Sequence, residues 1–222
     1  QYIVGYGSLI SEQSKRRSAP DTSDSIPVVV KGLHRAWNAP PSFAAPAGTV
    51  WPTFLGASES TDADEEMAAV LYEIYSAQSL HDQDVRESAG PYCRVRVHQQ
   101  AISLLVDGHS LCADADVWIY ATPPPAAGQP RVVPTARYPI VQSYVDLPVG
   151  GALELEERYA ISGFAAAFLR TTHDWADASG DIHYVNDRLV PRRAFIHEPR
   201  ATAIDFAIAA ALPDVLAARV IE

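Results

Sequence analysis

Val4-Gly5-Tyr6-Gly7-Ser8-Leu9 closes a short apolar run, Tyr2 to Val4, that reads as a buried strand. The fold class turns on what this glycine loop is. A dinucleotide fingerprint needs Gly-x-Gly-x-x-Gly, and Ile10 stands where the third glycine belongs. A P-loop needs Gly-Lys-Ser/Thr, which is absent. A nucleophile elbow needs Gly-x-Ser-x-Gly, and Tyr6 and Ile10 occupy those glycine positions. With these excluded, two readings remain. The closely spaced N–H groups of Gly7, Ser8 and Leu9 form a nest for a carboxylate or other small anion, or the glycines simply allow a tight turn at a strand end.

Outward from this loop the strands come first and the helices later. Ile26 to Val30 is β-branched, and "KGLHRAW" continues it through Gly32. "TVWPTFLGA", "MAAVLYEIY" and "DADVWIYAT" are further strand patterns, and "YCRVRVHQQAISLLV" reads as a hairpin. "SAQSLHDQDVRES", with Ser76 as N-cap, fits a helix of one or two turns. "NAPPSFAAPAG" and "PPPAAGQPRVVPTARYP" are proline-rich loops. "IVQSYVDLPVGGALE" and "LEERYAISGFAAAFLRTTHDW" are helical by period, divided by Gly150 and Gly151, and a last helix spans Ala203 to Val220 with an interruption near Pro213. Consecutive strands lack long helical crossovers, so a mostly antiparallel α+β fold is expected over a doubly wound sheet.

The 222 residues are 48% hydrophobic and 20% charged, enough apolar content for a sizeable core. A formal net charge of −10 works against nucleic acid and anionic membrane as partners. The basic clusters Lys15-Arg16-Arg17 and Arg192-Arg193 are short and read as solvated surface. Cys93 and Cys112 both fall in strand-like runs and are expected to be buried thiols in a reducing compartment. No apolar run is long enough for a transmembrane helix and no signal-peptide pattern is visible, so the cytoplasm is the expected location.

Among titratable residues, Glu87 stands in "DVRESAGPY", between the short helix and the next strand. With Asp82, Asp84 and Arg86 it is either part of a solvated ion-pair face or a carboxyl turned into a pocket as a general acid/base, its pKa raised by desolvation. The seven histidines show no His-x-x-x-His spacing, and no Cys/His set resembles a zinc site. They are expected to be structural or surface groups, with no metal.

Three segments in register resemble the γ-glutamylcyclotransferase-like superfamily. Tyr6-Gly7-Ser8-Leu9 after an N-terminal strand is similar to the family's Tyr-Gly-Ser loop. "VLYEI" followed by "LHDQDVRESAGPYCRVRV" resembles the strand and acidic helix that carry the family's catalytic glutamate, which places Glu87 at that position. "YPIVQSYVDLPVGGALELEERYA" is similar to the family's long helix and puts Tyr144 on its tyrosine position. The resemblance covers residues 2–160. The long loop after Trp37, the long run before Tyr138 and the chain beyond Tyr159 depart from the compact members.

The resemblance implies a small, mostly antiparallel β-barrel with flanking helices over residues 1–160; beyond it, the sequence pattern leads to the expectation of a helical or irregular C-terminal extension over 161–222 packed on the same domain. It implies a cyclotransferase that needs no cofactor. The substrate's α-amine attacks its own γ-carbonyl, forming 5-oxoproline and freeing an amine. Glu87 is then the proton-transferring group, and Tyr6, Gly7, Ser8, Leu9 and Tyr144 bind the small-molecule γ-glutamyl substrate. Tyr144 is either a ligand contact or a packed helix residue. Arg35 and Trp37 either reach the mouth of the same pocket or, as expected, fill ordinary strand roles. Trp175, Tyr184, Asn186 and Arg188 either pack the extension or cap the pocket. On the same fold, a related deprotecting or lactam-forming enzyme of specialised metabolism and a non-catalytic ligand-binding module are the alternatives.

Overall fold

The computed structural model of the protein describes residues 1–39, 50–124, 132–192 and 199–221. In chain order the elements begin with β1 (Tyr2–Gly5), a 3₁₀ turn (Ser8–Ile10), α1 (Glu12–Ser18), β2 (Ile26–Lys31), β3 (Leu33–Ala39), β4 (Phe54–Glu59) and β5 (Glu66–Glu73). Next come α2 (Ala77–Ser88), β6 (Cys93–Arg96), β7 (Ile102–Leu104), β8 (Val117–Ala121), β9 (Ile140–Val141), α3 (Gln142–Tyr159) and α4 (Phe164–Arg170). The chain ends with β10 (Thr172–His173), β11 (Tyr184–Asn186), α5 (Ala201–Ala211), α6 (Pro213–Ala217) and β12 (Val220–Ile221).

The strands form a six-stranded sheet in the order β6-β8-β1-β5-β2-β7, and two three-stranded sheets, β10-β3-β4 and β12-β11-β9. In the large sheet only β1 and β8 run parallel. This is the expected α+β fold, without the expected barrel. No closed barrel is found among the described residues. The six-stranded sheet ends at β6 and β7, and Thr122 at the end of β8 reaches the neighbouring sheet, donating its N–H to the Ala57 carbonyl at 2.8 Å. Gly32, at φ +72, turns the chain out of the large sheet, so "KGLHRAW" starts a new strand instead of continuing β2.

β1 lies in the middle of the large sheet, between β8 and β5, with Ile3 and Val4 buried. β5 is buried on both faces from Met67 to Tyr72, as an interior strand must be. β6 and β7 are not a hairpin: β6 pairs with β8 and β7 with β2, at opposite edges. As an edge strand β6 leaves Cys93 exposed, and Cys112 is exposed as well, contrary to the expectation of buried thiols. Lys15 also departs from its solvated reading. It is fully buried and donates to Ser23 O at 2.6 Å and Ser25 Oγ at 3.0 Å, with Glu12 at 2.9 Å.

α3 is one helix, not two. Pro148, Gly150 and Gly151 all lie inside it. The helix tolerates these residues because tertiary packing outweighs propensity. A Cβ on Gly151 would sit 2.6 Å from the Ser11 N and 2.7 Å from the Ile10 carbonyl carbon. The glycine lets α3 press directly on the loop that follows β1.

After residue 160 the chain is not purely helical. β10 pairs with β3, aligning Thr172 with Arg35, and β11 pairs with β9 and β12. The last helical stretch is split: α5 stops at Ala211, Pro213 begins α6, and Val220 is already in β12. Trp175 packs edge-on against Trp37 at 5.2 Å, Tyr184 is buried, and Arg188 bonds Asp146 and Asp205. These are packing roles. The loop expected after Trp37 begins later, since β3 runs through Asn38 and Ala39; its remainder and the middle of the proline-rich loop before Tyr138 lie outside the described residues, as do Arg193 and His197.

Candidate functional site

The loop after β1, the C-terminal end of α2 and the first turn of α3 meet around one cavity of about 520 Å³. All six residues singled out from the sequence line it: Tyr6, Gly7, Ser8, Leu9, Glu87 and Tyr144.

Each arrives there for a local reason. β1 ends at Gly5, and the chain turns through Gly7 into the 3₁₀ turn at Ser8. The first N–H groups of such a turn have no partner within it, and this end, Gly7 to Leu9, faces the cavity. Ser11 then caps α1, accepting from the Ser14 N–H at 3.3 Å. Tyr6 is buried, and its hydroxyl donates to the Tyr120 carbonyl at 2.6 Å. Burial, followed by the nearby Glu87 and Tyr144, holds its pKa well above the ordinary phenol value.

α2 is longer than its charge pattern suggested, twelve residues, with Ser76 accepting from the Ser79 N–H at 3.0 Å as its cap. Leu80, Gln83 and Glu87 share one face of it, at i, i+3 and i+7. Leu80 and Gln83 are buried, so the same face turns Glu87 inward, with its side chain 13% exposed. Burial raises the Glu87 carboxyl above its ordinary pKa of 4.5, and the Arg86 guanidinium, 3.4 Å away, works in the opposite direction. Asp84 on the neighbouring face is tied down by the Tyr120 hydroxyl at 2.9 Å and by Arg94 at 2.8 Å.

Tyr144 enters from α3 and is buried, edge-on to Phe54 at 5.1 Å and to Trp37 at 5.8 Å. It also stands over the loop: a Cβ built on Gly7 would lie 3.0 Å from its hydroxyl. Arg35 does not reach the cavity. It is fully buried, stacks on Phe168 at 4.0 Å and donates to Ala68 O, Phe168 O, Thr171 Oγ1 and Thr172 Oγ1. Desolvation lowers its pKa to about 9.

Sequence reasoning missed the rest of the wall. Trp51, Phe54 and Tyr92 give the cavity an aromatic side, and Arg86 and Arg192 give it positive charge. Tyr92 is held by donating to the Leu55 carbonyl at 3.0 Å. Arg86 and Tyr92 lie inside the quoted segment "LHDQDVRESAGPYCRVRV", which points to Glu87 alone, and Trp51 and Arg192 come from non-repetitive segments. With an inward carboxyl, a set of N–H groups and two cations, the cavity is equipped to bind an anionic end and to move one proton.

Away from this cavity, the fold also gathers His34, Glu65 and His173, which no sequence spacing connects. Among the described residues no helix is long and apolar enough to cross a membrane.

Comparison with protein families and with curated proteins finds no match. Similar solved structures include an uncharacterized protein from Homo sapiens, 14% identical over 69% of this chain and 78% of that one, with a TM-score of 0.48. A gamma-glutamyl cyclotransferase matches at 14% identity, 69% and 78% coverage and a TM-score of 0.46. A yeast gamma-glutamyl cyclotransferase described as specific to glutathione matches at 12% identity, over 78% of this chain and 96% of that one, with a TM-score of 0.41. Likenesses this distant assign the chain neither a reaction nor a residue role, which rest on the side chains of the cavity.

Proposed function

We propose that the cavity binds the glutamyl end of a γ-glutamyl amide and closes it to 5-oxoproline, releasing a free amine. The observation behind this reading is that Glu87, with its side chain 13% exposed, and the loop residues Gly7, Ser8 and Leu9 line the same cavity. The three-segment resemblance in the sequence supplies the choice of substrate class.

The loop N–H groups, with Arg86 and Arg192, hold the substrate's α-carboxylate. Glu87 as carboxylate takes a proton from the α-ammonium. The freed amine attacks the γ-carbonyl carbon, forming the ring C–N bond. Glu87 returns its proton to the departing nitrogen as the old C–N bond breaks, and the ring nitrogen sheds its second proton to the product amine. One amide replaces another, so the exchange is redox-neutral and uses proton transfers alone. Holding amine and carbonyl together is worth an effective molarity of about 10⁵–10⁸ M, and the proton transfers add about 10²–10⁴-fold. The aromatic side formed by Trp51, Phe54 and Tyr92 suits an apolar or aromatic leaving portion.

The test is incubation with a panel of γ-glutamyl amines, peptides and thiols, read by mass spectrometry. 5-Oxoproline appearing in equal amount with a free amine supports the reading. No 5-oxoproline across the panel opposes it.

A further inference from the structure

We propose that His34, Glu65 and His173 form a binding site for a divalent transition-metal ion, with Zn²⁺ as the reference ion. The site is separate from the Glu87 cavity and does not depend on the reaction proposed there.

Three distant parts of the chain build it. His34 stands on β3, His173 on β10, and Glu65 immediately precedes β5. The parallel pairing of β10 with β3 sets Thr172 beside Arg35 and His173 beside Ala36, which stacks the two imidazoles with centroids 4.1 Å apart. His34 Nδ1 lies 2.8 Å and His173 Nε2 lies 2.9 Å from the same oxygen, Glu65 Oε1. All three donor atoms fall within 4.8 Å of one another.

Two imidazoles and one carboxylate are a donor set that divalent zinc accepts, with a fourth position open to water. Bonds of about 2.0–2.2 Å place ligand atoms about 3–3.5 Å apart. The two nitrogen–oxygen sides therefore open by roughly half an ångström to admit the ion. Neutral histidines need lose no proton. Each ring moves its N–H to the far nitrogen and leaves a lone pair at the shared point. The other carboxylate oxygen, Glu65 Oε2, accepts from the Ser60 hydroxyl, the kind of outer contact that orients a ligating carboxylate. The trio lines a cavity of about 970 Å³, which supplies an entry path and room for water. In the absence of an ion, the same ring N–H groups donate to Glu65, so the cluster stays assembled.

The whole 222-residue chain, stripped with a chelator, is titrated with Zn²⁺ by calorimetry and with Co²⁺ by visible absorption. One ion per chain is expected, with Co²⁺ bands of nitrogen and oxygen ligation and no thiolate charge transfer. His173→Gln, at a side chain 44% exposed, is expected to weaken binding more than about 100-fold, and Ser60→Ala about 10-fold. Histidine ring resonances provide a readout in the unmutated protein: Zn²⁺ must shift those of His34 and His173. The proposal is overturned if no stoichiometric binding occurs, if affinity survives His173→Gln unchanged, or if only other histidines or the thiols respond.

Discussion

The Tyr6 hydroxyl donates to the Tyr120 carbonyl oxygen at 2.6 Å, tying the loop after β1 to the neighbouring strand β8. Its proton is committed to the backbone, and burial holds its pKa far above neutrality. Tyr6 therefore shapes the cavity and takes no part in proton transfer. Tyr6→Phe is expected to keep turnover within about tenfold, since Glu87, the proposed general acid/base, is untouched. It should lower stability by about 1–3 kcal/mol in denaturant unfolding, because a buried carbonyl loses its donor.

Gly151 carries the contact between α3 and the same loop. A methyl group there meets the Ser11 and Ile10 backbone at 2.6–2.7 Å, and backbone cannot swing aside as a side chain can. Gly151→Ala is expected to destabilise the protein by about 1–3 kcal/mol, despite the better helix propensity of alanine. It should also weaken substrate binding, because Gly7 to Leu9 precede the displaced residues. Thermal unfolding and KM check the two effects.

pH dependence follows from Glu87. Burial raises its pKa above 4.5, and Arg86 moderates the rise. The base form is the ionised one, so kcat/KM falls on the acid side, at a pH above that ordinary value. A neighbouring cation stabilises the carboxylate, so removing it favours the protonated acid. Arg86→Gln should move the acid limb to higher pH, and a limb that moves lower contradicts the assignment.

Cys93 and Cys112 are both exposed. Native protein is expected to react with two equivalents of a thiol reagent without prior unfolding. Titration with a chromogenic disulfide measures this directly.

The sequence placed the loop Tyr6–Leu9, Glu87 and Tyr144 as candidates, and the fold brings them to one cavity. That much was legible because short motifs hold chemistry locally: a glycine turn at a strand end, a carboxylate at a helix end. The pairing of β6 and β7 was misread because strand partners are chosen by long-range burial, not by nearness in the chain. Gly150 and Gly151 looked like a break, yet close approach to Ile10 and Ser11 keeps α3 continuous. Cys93 alternates as a buried strand residue should, but on an edge strand. Trp51 and Arg192 left no signal, since the segments carrying them have no repeating geometry; Tyr92 alternates with Cys93 as a strand residue does, but alternation does not say which side chains line a cavity.

The most direct test of the central claim is the rate of 5-oxoproline release by Glu87→Gln on a substrate that the native protein turns over. Gln keeps the size of the side chain and cannot accept the α-ammonium proton. A largely enclosed carboxylate with a raised pKa costs stability once ionised, so at neutral pH the variant should melt no lower than the native protein. Turnover is expected to fall by about 10²–10⁴-fold. A folded Glu87→Gln variant that releases 5-oxoproline at the native rate contradicts the account.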